Sequence, residues 1–135
     1  MITAVDTNIL IDVLGADPKF GRASTNALKQ SIQNGSIHAC EIVWIETAVM
    51  FNDKNDFLKA MNTLGLAFSA ITQETALLAA DQWRFYRRAE GNRERVVADF
   101  LIGAHAASQA DSLLTRDRGF YRNYFKNLTI IDPMG

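Results

Sequence analysis

Short apolar, β-branched runs alternate along this chain with longer stretches whose apolar residues recur every three or four positions. That alternation limits the fold more than any other feature. Ile2–Val5 reads as a strand ending at Asp6. Residues 8–14 read as a helix start with Ile9, Leu10, Val13 and Leu14 on one side, and residues 22–34 as a helix closed by Asn34-Gly35. Residues 37–43 read as the second strand, and residues 45–51 turn helical. Phe57, Leu58, Met61 and Leu64 mark another helix, stopped by Gly65. Residues 66–71 read as a strand, and Thr72 caps a long helix running to about Arg88. Residues 97–110 are apolar nearly all round, so that helix is expected to be deeply buried. Residues 112–115 and 128–131 complete the strands. Such a series predicts βαβ crossovers, hence an α/β fold whose mainly parallel sheet carries helices on both faces.

A chain of 135 residues suits one domain spanning 1–135, and its two prolines, Pro18 and Pro133, sit near the ends with no linker-like stretch between. Fourteen basic against fifteen acidic residues leave a net charge of −1, so no global pull toward nucleic acid or anionic lipid follows. The balance is uneven, however: −4 over residues 1–83 and +4 over residues 84–126. A basic face can therefore come from the C-terminal half. The single cysteine, Cys40, excludes a disulfide framework and suits a reducing cytoplasm. The N-terminus lacks the basic and apolar regions of a signal peptide, and no apolar run approaches the roughly 18 residues of a membrane span.

In parallel sheets, ligands sit beyond the carboxyl ends of the strands, so the positions of the acids are informative. Asp6 follows the first strand, Asp117 lies just past the strand at 112–115, Glu46 follows the second strand, and Asp99 opens the buried helix between Val96, Val97, Phe100 and Leu101. Each has a structural alternative: Asp6, Asp99 and Asp117 can cap helices or turns, and Glu46 can be a surface residue. Taken together, several acids at one sheet edge repel one another unless a cation joins them. All are hard oxygen donors without a Cys or His cluster, which favours Mg²⁺ or Mn²⁺ over zinc. His105 lies six positions after Asp99, about 240° around a helix, and points elsewhere. Mg²⁺ completes its shell with substrate phosphate oxygens, so the acids suggest one or two metals acting on a phosphodiester. Walker A, GxGxxG and GxSxG motifs are absent.

Four blocks carry a resemblance. Val5-Asp6-Thr7-Asn8, Ile42-Val43-Trp44-Ile45-Glu46, Asp99-Phe100-Leu101-Ile102-Gly103-Ala104-His105-Ala106 and Leu114-Thr115-Arg116-Asp117-Arg118-Gly119-Phe120-Tyr121 resemble the PIN domain, and more narrowly VapC-type toxins of toxin–antitoxin systems. The resemblance runs essentially end to end. It implies a three-layer α/β/α sandwich and Mg²⁺- or Mn²⁺-dependent endoribonuclease activity. It maps the family's acids onto Asp6, Glu46, Asp99 and Asp117, with metal ligation attributed foremost to Asp6 and Asp99. Asn8 and Thr115 match positions that support the acids by hydrogen bonds. It also implies an antitoxin partner, with a docking groove expected between residues 8–14 and 44–64 (Trp44, Val49, Met50, Phe51, Phe57, Met61), and a homodimer. Ala98 departs from the family, whose close members often carry Pro before the third acid.

The expected reaction is hydrolysis of RNA by a metal-bound hydroxide. Arg116 or Arg118 are expected to steady the phosphorane, and Arg84, Arg87, Arg88, Arg93 and Arg95 to follow the RNA backbone. Two rival readings are a PIN-like binding scaffold without catalysis and a phosphatase of the haloacid dehalogenase type. The latter needs a second acid two residues after the first, where this chain has Asn8.

Overall fold

The computed structural model describes residues 1–90 and 95–135. Five strands, β1 (Ile2–Val5), β2 (Ser36–Ala39), β3 (Leu66–Phe68), β4 (Ser112–Leu114) and β5 (Thr129–Ile131), form one parallel sheet in the order β3-β2-β1-β4-β5. The intervening helices are α1 (Thr7–Leu14), α2 (Gly21–Gln33), α3 (Glu41–Ala48), α4 (Lys54–Leu64), α5 (Gln73–Glu90), α6 (Val97–Gln109) and α7 (Arg118–Tyr124). The chain steps outward from β1 to β2 to β3, then crosses back past β1 to β4 and β5. With right-handed crossovers, that reversal puts helices on both faces. It also makes the gap between β1 and β4 the switch point, where opposite-going connections leave a crevice.

Local chemistry explains the element boundaries. Asp6 caps α1 by accepting from the Thr7 N–H at 2.7 Å, and Asp53 caps α4 by accepting from the Asn55 N–H at 2.8 Å. The Thr72 hydroxyl accepts from the Thr75 N–H at 3.2 Å at the start of α5. Gly65 ends α4 with φ 73°, the left-handed conformation that glycine adopts without strain. Val5, Ile9, Leu10, Ile37, Val43, Phe100, Leu113 and Leu114 form the centre of the core. At Gly103 the absence of a side chain is required, because a Cβ there would lie 2.3 Å from the Phe125 ring.

Two expectations need correction. The second strand ends at Ala39 and α3 begins at Glu41, so Ile42 and Val43 are helical, and Glu46 sits in the second turn of α3. Beyond the expected elements, Arg118–Tyr124 form a further helix, α7. In addition, Asp99 is not enclosed by its valine neighbours: Val96 and Val97 are 58% and 41% exposed, and the buried residues of α6 lie between Phe100 and Ala106.

Candidate metal centre at the carboxyl edge of the sheet

Strands β1 and β4 are adjacent and parallel, with Val5 opposite Leu114, so Asp6 and Asp117 emerge on the same edge. Helix α6 leads into β4 and therefore starts at that edge, with Asp99 in its first turn. Asp6 is buried, and several donors hold it. The Thr115 hydroxyl donates to its Oδ2 at 2.8 Å, Asn8 Nδ2 approaches the same oxygen at 3.4 Å, and the Tyr121 hydroxyl also bonds its carboxylate. Burial pushes the Asp6 pKa from 3.8 up to about 6; these hydrogen bonds oppose the rise, and the charge of Asp117 adds to it. Burial likewise raises Asp99, again with help from Asp117, while a bond from the Val96 N–H and the charge of Arg95 oppose it.

Thr115 ties the acids together. Its Oγ1 donates to Asp6 and accepts from the Asp117 N–H at 2.9 Å, while Asn8 Nδ2 lies 3.3 Å away. The Asn8 Oδ1 in turn accepts from the Arg116 N–H at 3.3 Å. Glu46 joins from α3: its Oε1 accepts the Thr7 hydroxyl at 2.6 Å. Asp117 takes a hydrogen bond from Arg95 Nη1 at 2.7 Å.

Sequence reasoning passed over three of the side chains in this arrangement. Tyr121 is buried, its hydroxyl bonds Asp6, and the charges of Asp6, Asp99 and Asp117 all act on it. Burial, followed by those charges, lifts its pKa well above the tyrosine range and keeps it a proton donor. Its one signal was a phenol a single helical turn after Asp117. Thr7, which holds Glu46, was visible only as the hydroxyl beside the strand-end acid. Asp12 is 1% exposed and receives Arg116 through two bonds, at 2.6 and 3.0 Å, and the Ser24 hydroxyl at 2.7 Å. An acid inside the apolar Ile9–Leu14 stretch needed such a partner.

The arginines separate into groups. Arg116 is committed to Asp12 and stacks on Phe20 at 3.9 Å, and Arg118 pairs with Asp132 at 3.1 Å, so both expected phosphorane contacts are engaged elsewhere. On α5, Arg84 pairs with Asp81 at 3.2 Å, Arg87 lies 5.2 Å from the Trp83 ring, and Arg88 joins them along a groove of about 540 Å³. Arg93 lies outside the described residues. His105 is buried with Nε2 2.9 Å from Ser69 Oγ, and burial lowers its pKa, which suits a structural role. The expected docking groove is partly core. Phe57 and Met61 are buried, and Trp44 packs edge-on against Phe57 and Phe68 at 5.3 and 5.2 Å, whereas Val49 and Met50 are 77% and 43% exposed.

The carboxylates suit a hard divalent cation in kind and in charge, because burial, with the charge of Asp117 adding to it, leaves Asp6 and Asp99 undercompensated. Among the described residues, no three His, Cys, Asp or Glu side chains already form a group able to hold one ion. The acids share an edge without making a finished cage.

A parallel sheet with acids gathered at its switch point defines a class that the comparisons identify. The PIN domain family model matches residues 3–126, and the chain belongs to that family. Among solved structures it is similar to VapBC2 from Rickettsia felis bound to a DNA fragment from its promoter (20% identity over 98% of each chain, TM-score 0.74). VapBC-1 of nontypeable Haemophilus influenzae is similar at 19% identity over 100% of each chain, with a TM-score of 0.73. VapC20 of Mycobacterium tuberculosis, a Sarcin-Ricin loop cleaving toxin, is similar at 15% identity over 82% of this chain and 86% of its own, with a TM-score of 0.56. At these identities the likeness is one of fold. No curated protein matches the chain. No described helix is long and apolar enough to cross a membrane.

Proposed function

We propose that this chain is a Mg²⁺- or Mn²⁺-dependent endoribonuclease and the toxin of a toxin–antitoxin pair. One observation carries the reading: Asp6 and Asp117 leave adjacent strands at the sheet's switch point and are joined through the Thr115 hydroxyl, Asp99 lies in the first turn of α6 at the same edge, and Glu46 is held by the adjoining Thr7. Asp6 and Asp99 would hold the cation, and Glu46 and Asp117 would bind directly or through water. Bound there, the ion supplies Lewis acidity toward a phosphodiester and lowers the pKa of water. The chain's own residues do the remaining work. Thr7, Thr115 and Tyr121 fix the orientation of Asp6. Asn8 and Thr115 set the loop that carries Asp117. Glu46, exposed and steadied by Thr7, orients the attacking water and receives its proton. Arg84, Arg87 and Arg88 meet the RNA backbone beside Trp83, whose ring offers a stacking face.

The VapBC neighbours support an antitoxin partner for this chain. Ile11, Ile45, Val49, Met50 and Leu58, exposed on or beside α1, α3 and α4, give its apolar side chains a place to dock. A second copy of the chain is part of the same reading, measured by analytical ultracentrifugation. The nuclease claim is tested by incubating purified protein with transfer RNA and with ribosomal RNA, in Mg²⁺ or Mn²⁺ and in EDTA. Cleavage that EDTA and Asp99→Ala each abolish, with the far-UV circular dichroism unchanged, supports it. Cleavage that survives Asp99→Ala removes the mechanism, and calorimetry showing no Mn²⁺ binding favours the scaffold.

A further inference from the structure

Arg95 stands just before α6 and reaches across the acids. Its Nη1 donates to Asp117 Oδ2 at 2.7 Å, its guanidinium carbon lies 4.3 Å from the centre of the Phe120 ring, and its charge acts on Asp99. Its backbone N–H donates to the Tyr86 hydroxyl at 3.2 Å, so α5 anchors the base of the residue. The pair is half-buried, with the Arg95 and Asp117 side chains 32% and 35% exposed, so water reaches it. Arg116 and Arg118 are paired with Asp12 and Asp132 rather than with the four acids. Among the described residues, Arg95 is thus a guanidinium already seated where the proposed ion and a substrate phosphate would arrive.

An ion pair that water reaches is screened and can exchange partners. A guanidinium pairs with phosphate as readily as with carboxylate, in the same forked geometry. The Phe120 face holds the cation beside the site whichever anion it meets. We infer that Arg95 is a displaceable internal cation: it competes with the divalent ion for Asp117 and releases that carboxylate when a phosphate of a bound RNA strand takes the guanidinium. RNA and metal therefore bind cooperatively, each tightening the other by the same factor. This rests on the metal-dependent nuclease reading and adds to it the order in which charges are exchanged.

The test is calorimetric titration of Mn²⁺ into the intact chain, with and without a short 2′-O-methyl RNA strand whose integrity is checked on a gel. In the wild type the strand should tighten Mn²⁺ binding roughly fivefold or more. Without the strand, Arg95→Gln should bind Mn²⁺ roughly three- to tenfold more tightly than wild type, because a competitor and a like charge are both gone. The strand should then bind more weakly and leave Mn²⁺ affinity unchanged. Arg95→Lys, which keeps the charge without the fork, should retain part of the coupling, and thermal melts verify that both variants fold. Mn²⁺ affinity of Arg95→Gln at or below the wild-type value, or coupling equal to wild type, overturns the inference. An Asp99→Asn arm separates the two levels. If Asp99→Asn loses Mn²⁺ while Arg95→Gln matches wild type, the metal site stands and Arg95 has no part in loading it. If Asp99→Asn binds as wild type does, the metal reading fails and takes the inference with it.

Discussion

Asp6→Asn turns the burial of a charge into a measurable slope. Asp6 is 6% exposed, and burial raises its carboxyl from 3.8 to about 6. A carboxyl whose folded value lies above its unfolded value holds its proton more tightly in the folded state. Its contribution to stability is therefore complete below the unfolded value and is lost as pH rises through about 6. At 1.36 kcal/mol per tenfold, the loss is ~3 kcal/mol. Asn at this position has no charge to bury, and its carbonyl still accepts from the Thr7 N–H. Its amide nitrogen cannot accept from the Thr115 hydroxyl, and the Tyr121 hydroxyl meets a neutral group in place of a carboxylate, which together cost about 1–2 kcal/mol. Relative to wild type, Asp6→Asn should be less stable near pH 4 and about 1–2 kcal/mol more stable near pH 8. Urea unfolding of both proteins in EDTA, across that range, gives the difference curve and cancels groups common to both. A difference that stays flat with pH, or that favours Asp6→Asn more at low pH than at high, refutes the reasoning. Saturating Mn²⁺ near pH 8 should reverse the order, since a ligand that binds the folded wild type alone stabilises it by mass action.

Three further outcomes are expected. Gly103→Ala drives a methyl into the Phe125 ring and should cost about 1–3 kcal/mol in thermal unfolding, while Gly119→Ala, with nothing within 4 Å, serves as the near-neutral control. Arg116→Ala leaves the buried Asp12 carboxylate without its cation and should cost about 3 kcal/mol in urea unfolding, and adding Asp12→Asn should recover a large part of the loss. Neutralising Arg84, Arg87 or Arg88 should lower the slope of log affinity for single-stranded RNA against log salt by about one each, measured by fluorescence anisotropy, with no change in Mn²⁺ affinity.

The parts of this molecule that were legible in its sequence are those set by local chemistry. Strands β1 and β4 and helices α2, α4 and α5 announced themselves through apolar period and caps such as Gly65 and Thr72. The strand ending at Ala39 was overextended because Ile42 and Val43 are β-branched, yet as helix residues they still face apolar neighbours. Helix α7 is only seven residues long and carries Gly119 in its first turn, so the recurrence of Phe120, Tyr121 and Tyr124 does not mark it in the sequence. The acids could be placed because strand ends and helix starts are local features. Their partners could not: Arg116 meets Asp12 across 104 residues, and Arg95 meets Asp117 across 22, and only the finished sheet brings those positions together.

The sheet also explains how like charges are kept at one edge. Opposite Val5 stands Leu114, and the Asp6 N–H continues the ladder onto the Leu114 carbonyl at 3.0 Å, so the first acid cannot retreat without breaking β1 from β4. The Thr115 N–H bonds the Ile131 carbonyl at 3.1 Å, which fixes the same turn to β5. One residue on, Arg116 is clamped to Asp12 of α1, so the segment carrying Asp117 is held from three sides. The cost of burying the acids, with the charge of Asp117 adding to it, therefore appears in their pKa values, where Asp6 and Asp99 rise, rather than as separation of the strands. A cation arriving there would meet carboxylates whose unfavourable placement the fold has already absorbed, and its binding energy would go into ligation instead of assembly.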